Sequence, residues 1–185
     1  MHDLPAGNKV LLRAITEADT ALIVRWRNQE SVKKHLFSQE ELTPEQHLQY
    51  LRTRVLTGQT AQFIIVVQET QEPIGTVFLK NIDTHAQKAE FGIFIGADSA
   101  RGKGCGQEAA SLILRYGFER LHLHRIWLSV FSDNLPAIAS YQKAGFLREG
   151  ILRQDFKRDD GYVDVLVMGI LIGEWSARNH QVTQN

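Results

Sequence analysis

The chain has 185 residues, the length of one domain with an ample core. Hydrophobic residues make up 43% and charged residues 23%, which excludes the low-hydrophobicity, high-charge composition of a disordered chain. Lys plus Arg and Asp plus Glu both number 21, so no overall basic field favours nucleic acid or an anionic membrane. The single cysteine, Cys105, excludes an internal disulfide framework and a multi-cysteine zinc site.

The first residues lack an apolar signal core, and no apolar run approaches the roughly 20 residues of a membrane span. We therefore expect a cytoplasmic protein without a membrane or nucleic-acid partner, and the sequence is compatible with a homo-oligomer. His122 and His124 precede a strand with no accompanying ligand cluster, so we expect no metal.

Strand-like apolar runs alternate with helical patterns along the whole chain, which predicts one mixed α/β domain over residues 1–185. The polar ends, 1–8 and 176–185, are expected to fray. An Asp160-Gly161 turn is expected between the last two strands. β-Branched and aromatic content predicts seven strands, at 9–13, 62–67, 74–82, 88–96, 125–131, about 147–156 and 162–171.

Helix start and stop signals predict four helices between these strands. The first begins after Thr16 and runs to about Arg27, and the second begins at Thr43, with proline at its first position and a capping box. A third helix follows the glycine-rich residues 101–106. The fourth opens at Asn134 and ends at Gly145, which suits a left-handed cap.

Residues 101–106 (RGKGCG) lie between a predicted strand and a predicted helix. Glycines let backbone N–H groups converge and allow close approach, and the helix start adds positive potential, so a pyrophosphate fits there. The spacing matches neither the phosphate loop that ends in Lys-Ser/Thr nor the full dinucleotide fingerprint. A plain turn that caps the helix is the alternative.

The order of elements makes the resemblance specific. A strand, Arg-x-x-Gly-x-Gly, an amphipathic helix, a strand, Asn134 and a helix ending in Tyr-x-Lys-x-Gly-Phe together resemble the GNAT acetyltransferase superfamily. The resemblance covers roughly residues 9–175, with 88–146 as its specific part. It implies a mostly antiparallel sheet of about seven strands with flanking helices. It also implies a splay between the strand before the glycine loop and the following strand, and acetyl-CoA as cosubstrate.

The same resemblance assigns the cofactor site. The glycine loop would hold the CoA pyrophosphate, and unpaired backbone of the preceding strand would bond the pantetheine arm. Asn134 would bond that arm too, a role compatible with capping its helix. The implied cofactor-binding residues are Ile93, Phe94, Ile95, Arg101, Gly102, Lys103, Gly104, Cys105, Gly106 and Asn134.

Two residues are the catalytic candidates. Glu90 lies on the strand beside the proposed cofactor site, where a carboxylate can take a proton from the attacking amine, directly or through water. A solvent-facing or salt-bridged glutamate is the alternative. Tyr141 resembles the family's general acid and would protonate the departing CoA thiolate, the alternative being a packing role. Cys105 has no identifiable activating partner, so a covalent acyl-enzyme is not expected.

The acceptor side is expected between the first two helices. Residues 25–42 resemble the subfamily that acetylates the 4-amino group of nucleotide-linked sugars, with Arg27, Asn28 and Lys33 as the substrate-binding candidates. Solvated charges on the helix surface are the alternative for the basic residues. Spermidine acetyltransferases and enzymes that acetylate ribosomal-protein N-termini share the same catalytic half. For a polycation, the visible acidic candidates are Glu40, Glu41 and Glu45. A catalytically silent CoA-binding regulator is the alternative from another class.

Overall fold

The computed structural model describes residues 5–159 and 161–182. The apolar strand runs form one seven-stranded sheet, with the order β1-β2-β3-β4-β5-β7-β6. Every neighbouring pair is antiparallel except β4 and β5, which are parallel. The strands are β1 (Val10–Ala14), β2 (Ala61–Val67), β3 (Pro73–Asp83), β4 (Lys88–Ile95), β5 (Arg125–Phe131), β6 (Leu147–Arg158) and β7 (Gly161–Leu171).

The parallel pair separates soon after it begins. Its register consists of Lys88 opposite Arg125, Ala89 opposite Ile126, and a last pair, Glu90 with Trp127. Beyond that pair β4 stays bonded to β3 as far as Ile95, so one edge of β4 is left open towards β5. The predicted mixed seven-stranded sheet and its splay are therefore confirmed.

The helices flank this sheet, and two of them continue as a π-helical turn. The turns are Leu51–Val55 after α3 and Tyr116–Arg120 after α4. A 3₁₀ turn, Glu17–Asp19, precedes α1 and carries the capping box of Thr16. The helices are α1 (Thr20–Arg27), α2 (Glu30–Lys33), α3 (Pro44–Tyr50), α4 (Cys105–Arg115), α5 (Leu135–Ala144) and α6 (Ile172–Val182).

Two elements differ from the sequence prediction. The four-residue α2 was not predicted, because so short a helix has no periodicity to detect. Helix α6 was not predicted either, and it includes residues 176–182 of the end that was expected to fray. Trp175 anchors that helix, because its ring packs on Phe118 with the two ring centroids 5.3 Å apart. Asp160, from the expected turn, lies outside the described residues.

The start of the described chain is held in place as well. The carboxylate of Glu108 on α4 accepts backbone N–H groups from Asn8, Lys9 and Val10 at 2.9, 2.8 and 2.8 Å. Three charge-assisted bonds to one carboxylate fix the entry into β1. Of the segment 1–8 that was expected to fray, residues 5–8 are thus ordered, and 1–4 lie outside the described residues.

The core has two parts on opposite faces of the sheet. Along β2, Phe63 and Ile65 join the large cluster with α4, whereas Ile64 and Val66 join a smaller one with α1. Alternate strand residues point to opposite faces, so α4 and α1 cover different sides of the sheet. Trp26, 3% exposed, is the largest member of the smaller cluster and carries α1 against β2.

Replacement of this anchor should loosen the α1 side of the molecule. Trp26→Ala should lower the free energy of unfolding by about 3–5 kcal/mol, because it removes a buried ring and leaves a cavity. Arg25→Ala, an exposed change on the same helix, should stay within about 0.5 kcal/mol of the parent. Urea unfolding measures both, and equal effects would contradict the anchoring role.

Candidate active site

A cleft of about 570 Å³ opens where β4 and β5 separate. Its walls come from β3, β4, β5, α5, the end of α1, α2 with the residues after it, and the glycine loop. The predicted site residues that line it are Arg27, Glu90, Ile93, Phe94, Ile95, Arg101, Gly106, Asn134 and Tyr141. The predicted residues Asn28, Lys33, Gly102, Lys103, Gly104 and Cys105 are not among its lining residues.

The floor of the cleft is set by the register between β3 and β4. Phe78 lies opposite Gly92 and Lys80 lies opposite Glu90, and directly opposed residues share one face of a sheet. The ring of Phe78 occupies the space beside Gly92, since a Cβ at Gly92 would come within 2.3 Å of it. The floor is therefore an aromatic ring next to a charged pair.

The glycine loop ends in a left-handed residue at the start of α4. Gly104 has φ 81° and ψ 0° and precedes Cys105, the first residue of the helix. The ammonium of Lys9, the residue before β1, donates to the carbonyl of Lys103 at 3.0 Å and so holds the loop. The first N–H groups of an 11-residue helix thus begin beside Gly106 in the cleft, which suits a phosphate group.

Arg101 joins the glycine loop to the acceptor wall, which is the side of the cleft formed by Arg27, α2 and residues 35–38. Its guanidinium is paired with Asp98 at 2.7 Å and donates to the carbonyl of Ile95 and the hydroxyl of Ser31, both at 3.2 Å. Arg101, which was predicted to bind the cofactor, therefore also connects the end of β4 to α2.

Glu90 has two partners at the point where the strands separate. Lys80 Nζ lies 2.9 Å from one carboxylate oxygen, and Asn81 Nδ2 donates to the other at 3.1 Å. The side chain is 15% exposed and lines the cleft. The salt-bridged arrangement considered as the alternative is thus present, and it faces the cleft where an acceptor amine would enter.

Tyr141 projects from α5 into the aromatic part of the cleft. Its ring packs edge-on against Phe91 and Phe146, with centroids 5.6 and 6.1 Å away. Loss of water around the phenol raises the pKa of Tyr141 to about 12. The hydroxyl therefore keeps its proton at neutral pH and is able to donate it. Asn134 caps the same helix by accepting from the N–H of Ala137 at 3.4 Å, and it also lines the cleft.

On the acceptor wall, Arg27 is the predicted residue that reaches the cleft. Its Nη2 donates to the carbonyl of Ser38 at 3.0 Å, whereas its Nη1 is buried and has no hydrogen-bond partner among the described residues. Burial lowers the pKa of the Arg27 guanidinium from its usual range. An unpaired buried N–H is unfavourable, so an acceptor atom from a ligand would stabilise this position.

Asn28 and Lys33 shape the loop between α2 and α3 and do not line the cleft. The Asn28 amide exchanges two hydrogen bonds with the backbone of Leu42, at 2.9 and 2.8 Å. The carbonyl of Lys33 accepts from Gln39 at 3.1 Å. These bonds join residues 28 and 33 to the loop, and the predicted contact of both residues with substrate stays a prediction.

Several lining residues were missed in the sequence. They are Ser31, His35 and Phe37 on the acceptor wall, and Phe78 and Lys80 on β3. Phe37 stacks on Phe131 of β5 with centroids 4.6 Å apart, which ties the loop to the sheet. The alternation along β3 was available as a signal for Phe78 and Lys80, but the register that sets them beside β4 was not.

The charges of the cleft are unequal. Among the described lining residues, Arg27, Lys80 and Arg101 are cationic, and Glu90 is the carboxylate. Desolvation lowers the pKa of His35, and the neighbouring cations Lys34, Arg101 and Arg158 lower it further. Asp133 raises it by a smaller amount.

In the part of the chain that is described, no group of three or more His, Cys, Asp or Glu could hold a metal ion. None of the described helices is long and apolar enough to cross a bilayer.

The splayed β4–β5 pair leads to a glycine loop before a helix, and Tyr141 lies in the cleft between them. This combination is typical of a CoA-dependent acyltransferase. The chain belongs to the GNAT acetyltransferase family, whose model, described as an acetyltransferase (GNAT) domain, matches residues 9–147.

Known proteins similar to this chain agree with that family. An uncharacterized N-acetyltransferase, p20, of Bacillus licheniformis is 35% identical over 129 residues, which cover 70% of this chain and 72% of the relative. The spermidine N(1)-acetyltransferase of Escherichia coli is 30% identical over 95% of this chain and 93% of the relative. The crystal structure of Vibrio cholerae spermidine N-acetyltransferase with CoA and spermine has a TM-score of 0.85 at 27% identity, covering 91% of this chain and 99% of that chain.

These similarities confirm three expectations and leave one without support. The chain is an N-acetyltransferase, it is an enzyme, and acetyl-CoA is its cosubstrate. The expected resemblance to enzymes that acetylate nucleotide-linked aminosugars finds no support among these relatives, which include spermidine acetyltransferases instead.

The glycine loop provides a matched pair of substitutions. Gly104→Ala and Gly58→Ala each place a side chain on left-handed backbone, with φ 81° and 75°, so each should cost about 1–2 kcal/mol of stability. Only Gly104 precedes the helix beside the cleft. Calorimetric binding of acetyl-CoA should therefore weaken in the Gly104 variant and stay unchanged in the Gly58 variant. Equal affinity in both would remove the loop from the cofactor site.

Proposed function

We propose that the protein transfers the acetyl group of acetyl-CoA directly to a primary amine of a small molecule bound in the cleft. The observation that carries this proposal is the open edge of β4 between Phe91 and Ile95, which residues 96–100 connect to the glycine loop. Unpaired strand N–H and C=O groups suit an extended amide arm, and a helix N-terminus suits its pyrophosphate. Both supports lie along one cleft, which favours direct transfer.

The chemistry assigns one proton step to each of two residues. A lysine-like amine has a pKa of about 10.4, so the acceptor enters as an ammonium. Glu90 takes one proton, directly or through water, and the free amine attacks the thioester carbonyl. As the carbon–sulfur bond breaks, Tyr141 donates its proton to the CoA thiolate. A second proton leaves the nitrogen as the amide forms and restores Tyr141, so each turnover releases one proton.

A polyamine of the spermidine class is the acceptor that the relatives support. Two spermidine N(1)-acetyltransferases align with more than nine-tenths of this chain, and the similar crystal structure contains spermine. In this chain Glu90 offers a carboxylate to an ammonium, and Glu40 and Glu41 lie exposed in the loop between α2 and α3. A dodecameric relative with a TM-score of 0.80 supports a homo-oligomer, which sedimentation equilibrium tests.

One observation favours a second acceptor class, an amine carried on an anionic molecule such as a nucleotide-linked aminosugar. Arg27 Nη1 is buried without a partner in the described part of the cleft, and Lys80 and Arg101 add positive charge. A phosphate would supply the missing hydrogen-bond acceptor through a charge-assisted bond. Arg27 therefore separates the two classes.

An acceptor panel with charge variants tests both classes. Acetyl-CoA-dependent CoA release should occur with spermidine and weaken after Glu40→Gln with Glu41→Gln, because a polycation loses favourable charge. Arg27→Gln should leave spermidine KM unchanged or lower it, with Arg25→Gln as the exposed control on the same helix. Turnover of a 4-amino sugar nucleotide, lost in the Arg27 variant alone, would select the second class. Turnover of ribosomal N-terminal peptides alone would reject both.

The role of Tyr141 has its own test. Tyr141→Phe keeps the ring packing and removes the hydroxyl, so kcat should fall by roughly 10²-fold, the usual scale of a lost general acid. Because burial raises the pKa of Tyr141 to about 12, its hydroxyl stays protonated up to about pH 10. The wild-type rate should therefore not fall through deprotonation of Tyr141 over that range. Stopped-flow single-turnover rates measure the chemical step, and an unchanged rate in the variant would rule the role out.

A further inference from the structure

The partner of Glu90 is set by the sheet itself. Lys80 lies directly opposite Glu90 in the β3–β4 register, so both side chains are on the cleft face, and Nζ lies 2.9 Å from the carboxylate. The Lys80 side chain is 41% exposed, whereas that of Glu90 is 15% exposed. The ammonium therefore reaches the carboxylate from the solvent side of the cleft, on a stem that has room to move.

The second partner is held by an irregularity in β3. Asn81 has φ 52°, left-handed backbone for a residue with a side chain, and the β3–β4 register shifts between Lys80 and Asp83. A shift of this kind re-aims side chains within a strand. Here it accompanies the bond of 3.1 Å from Asn81 to the second oxygen of Glu90. The carboxylate thus keeps an orienting neutral donor even without Lys80.

The position of the pair matches the path of an incoming amine. Glu90 forms the last β4–β5 pair, so it lies at the apex of the splay, and it is the carboxylate among the described cleft-lining residues. A carboxylate this little exposed is stabilised by a cation, and removal of the cation without replacement is unfavourable. An amine that arrives as an ammonium supplies the replacement.

We propose that the acceptor's ammonium displaces Lys80 from Glu90, so that Lys80 is a positioning residue that is exchanged for substrate. The inference rests on the proposed role of Glu90 as proton acceptor. Lys80 pairs with the Glu90 carboxylate and orients it between turnovers and then moves into solvent, while Asn81 retains the carboxylate's orientation. A lysine suits this exchange because it is a compact point charge on a flexible stem, whereas an arginine fork would hold both oxygens.

A substitution series at Lys80 tests the exchange through the KM of the acceptor. With spermidine at saturating acetyl-CoA, Lys80→Met should lower the acceptor KM by about threefold, within the range of a partly exposed ion pair. Lys80→Arg should raise it by a similar factor, because the fork is harder to displace. The KM of acetyl-CoA should stay constant throughout. Lys88→Met, an exposed lysine of β4 outside the cleft, should change neither constant.

A merely structural role for Lys80 predicts a different result. Lys80→Arg would then restore wild-type constants, and Lys80→Met would lower the melting temperature without lowering the acceptor KM, which overturns the proposal. Calorimetric titration of spermidine into the CoA complex should rank the affinities in the same order, with the methionine variant tightest and the arginine variant weakest. If the methionine variant does not fold, Lys80→Gln takes its place. An acceptor KM that rises in Lys80→Met would mean that Lys80 binds the acceptor itself, and it would also overturn the exchange.

The outcomes for Lys80 and for the acceptor class are separable. If wild-type enzyme acetylates another amine of the panel and not spermidine, the polyamine assignment fails, and the same series with that amine decides the exchange. If amines are acetylated and the order methionine, lysine, arginine is absent, the exchange alone fails. If no amine is acetylated, the proposed function fails and the exchange fails with it.

Discussion

The end of the β4–β5 register at Glu90 and Trp127 is the constraint on which the site depends. Each strand has a second neighbour that holds it beyond this point: β4 stays on β3 as far as Ile95, and β5 stays on β7 as far as Phe131. Two strands held from outside and released from each other leave backbone groups facing a cleft. Since unpaired backbone is a template for extended chains, the sheet makes a binding edge without dedicated side chains.

The acceptor wall is joined mechanically to this edge. Trp26 packs α1 against β2 and fills the space beside Gly96, where a Cβ would come within 2.1 Å of its ring. Arg101 bonds Ser31 of α2 and the carbonyl of Ile95, and Phe37 stacks on Phe131. The loop between α2 and α3 is thus fixed to both sides of the splay. Changes far from the reacting atoms can therefore alter how an amine is aligned.

The fold and the charges of the cleft bear on different questions. Similarity to spermidine acetyltransferases extends over nearly the whole chain, and it accounts for the shared cosubstrate. Among the described residues, Glu90 is paired with Lys80, while Nη1 of Arg27 is buried without a hydrogen-bond partner. Fold alone does not determine which amine is bound. We propose that the charges at these positions favour either a polycation or an anionic amine as acceptor.

Local periodicity, capping residues and fixed spacing predict the seven strands, four of the six described helices, the glycine loop and the family. The same patterns predicted Glu90 and Tyr141 as site residues, and both line the cleft. That Lys80 lies opposite Glu90 could not be predicted, since strand register depends on pairing between segments. The same holds for the two bonds between the Asn28 amide and the backbone of Leu42, fourteen residues away. Partners over such distances are chosen by packing, and no local pattern encodes them.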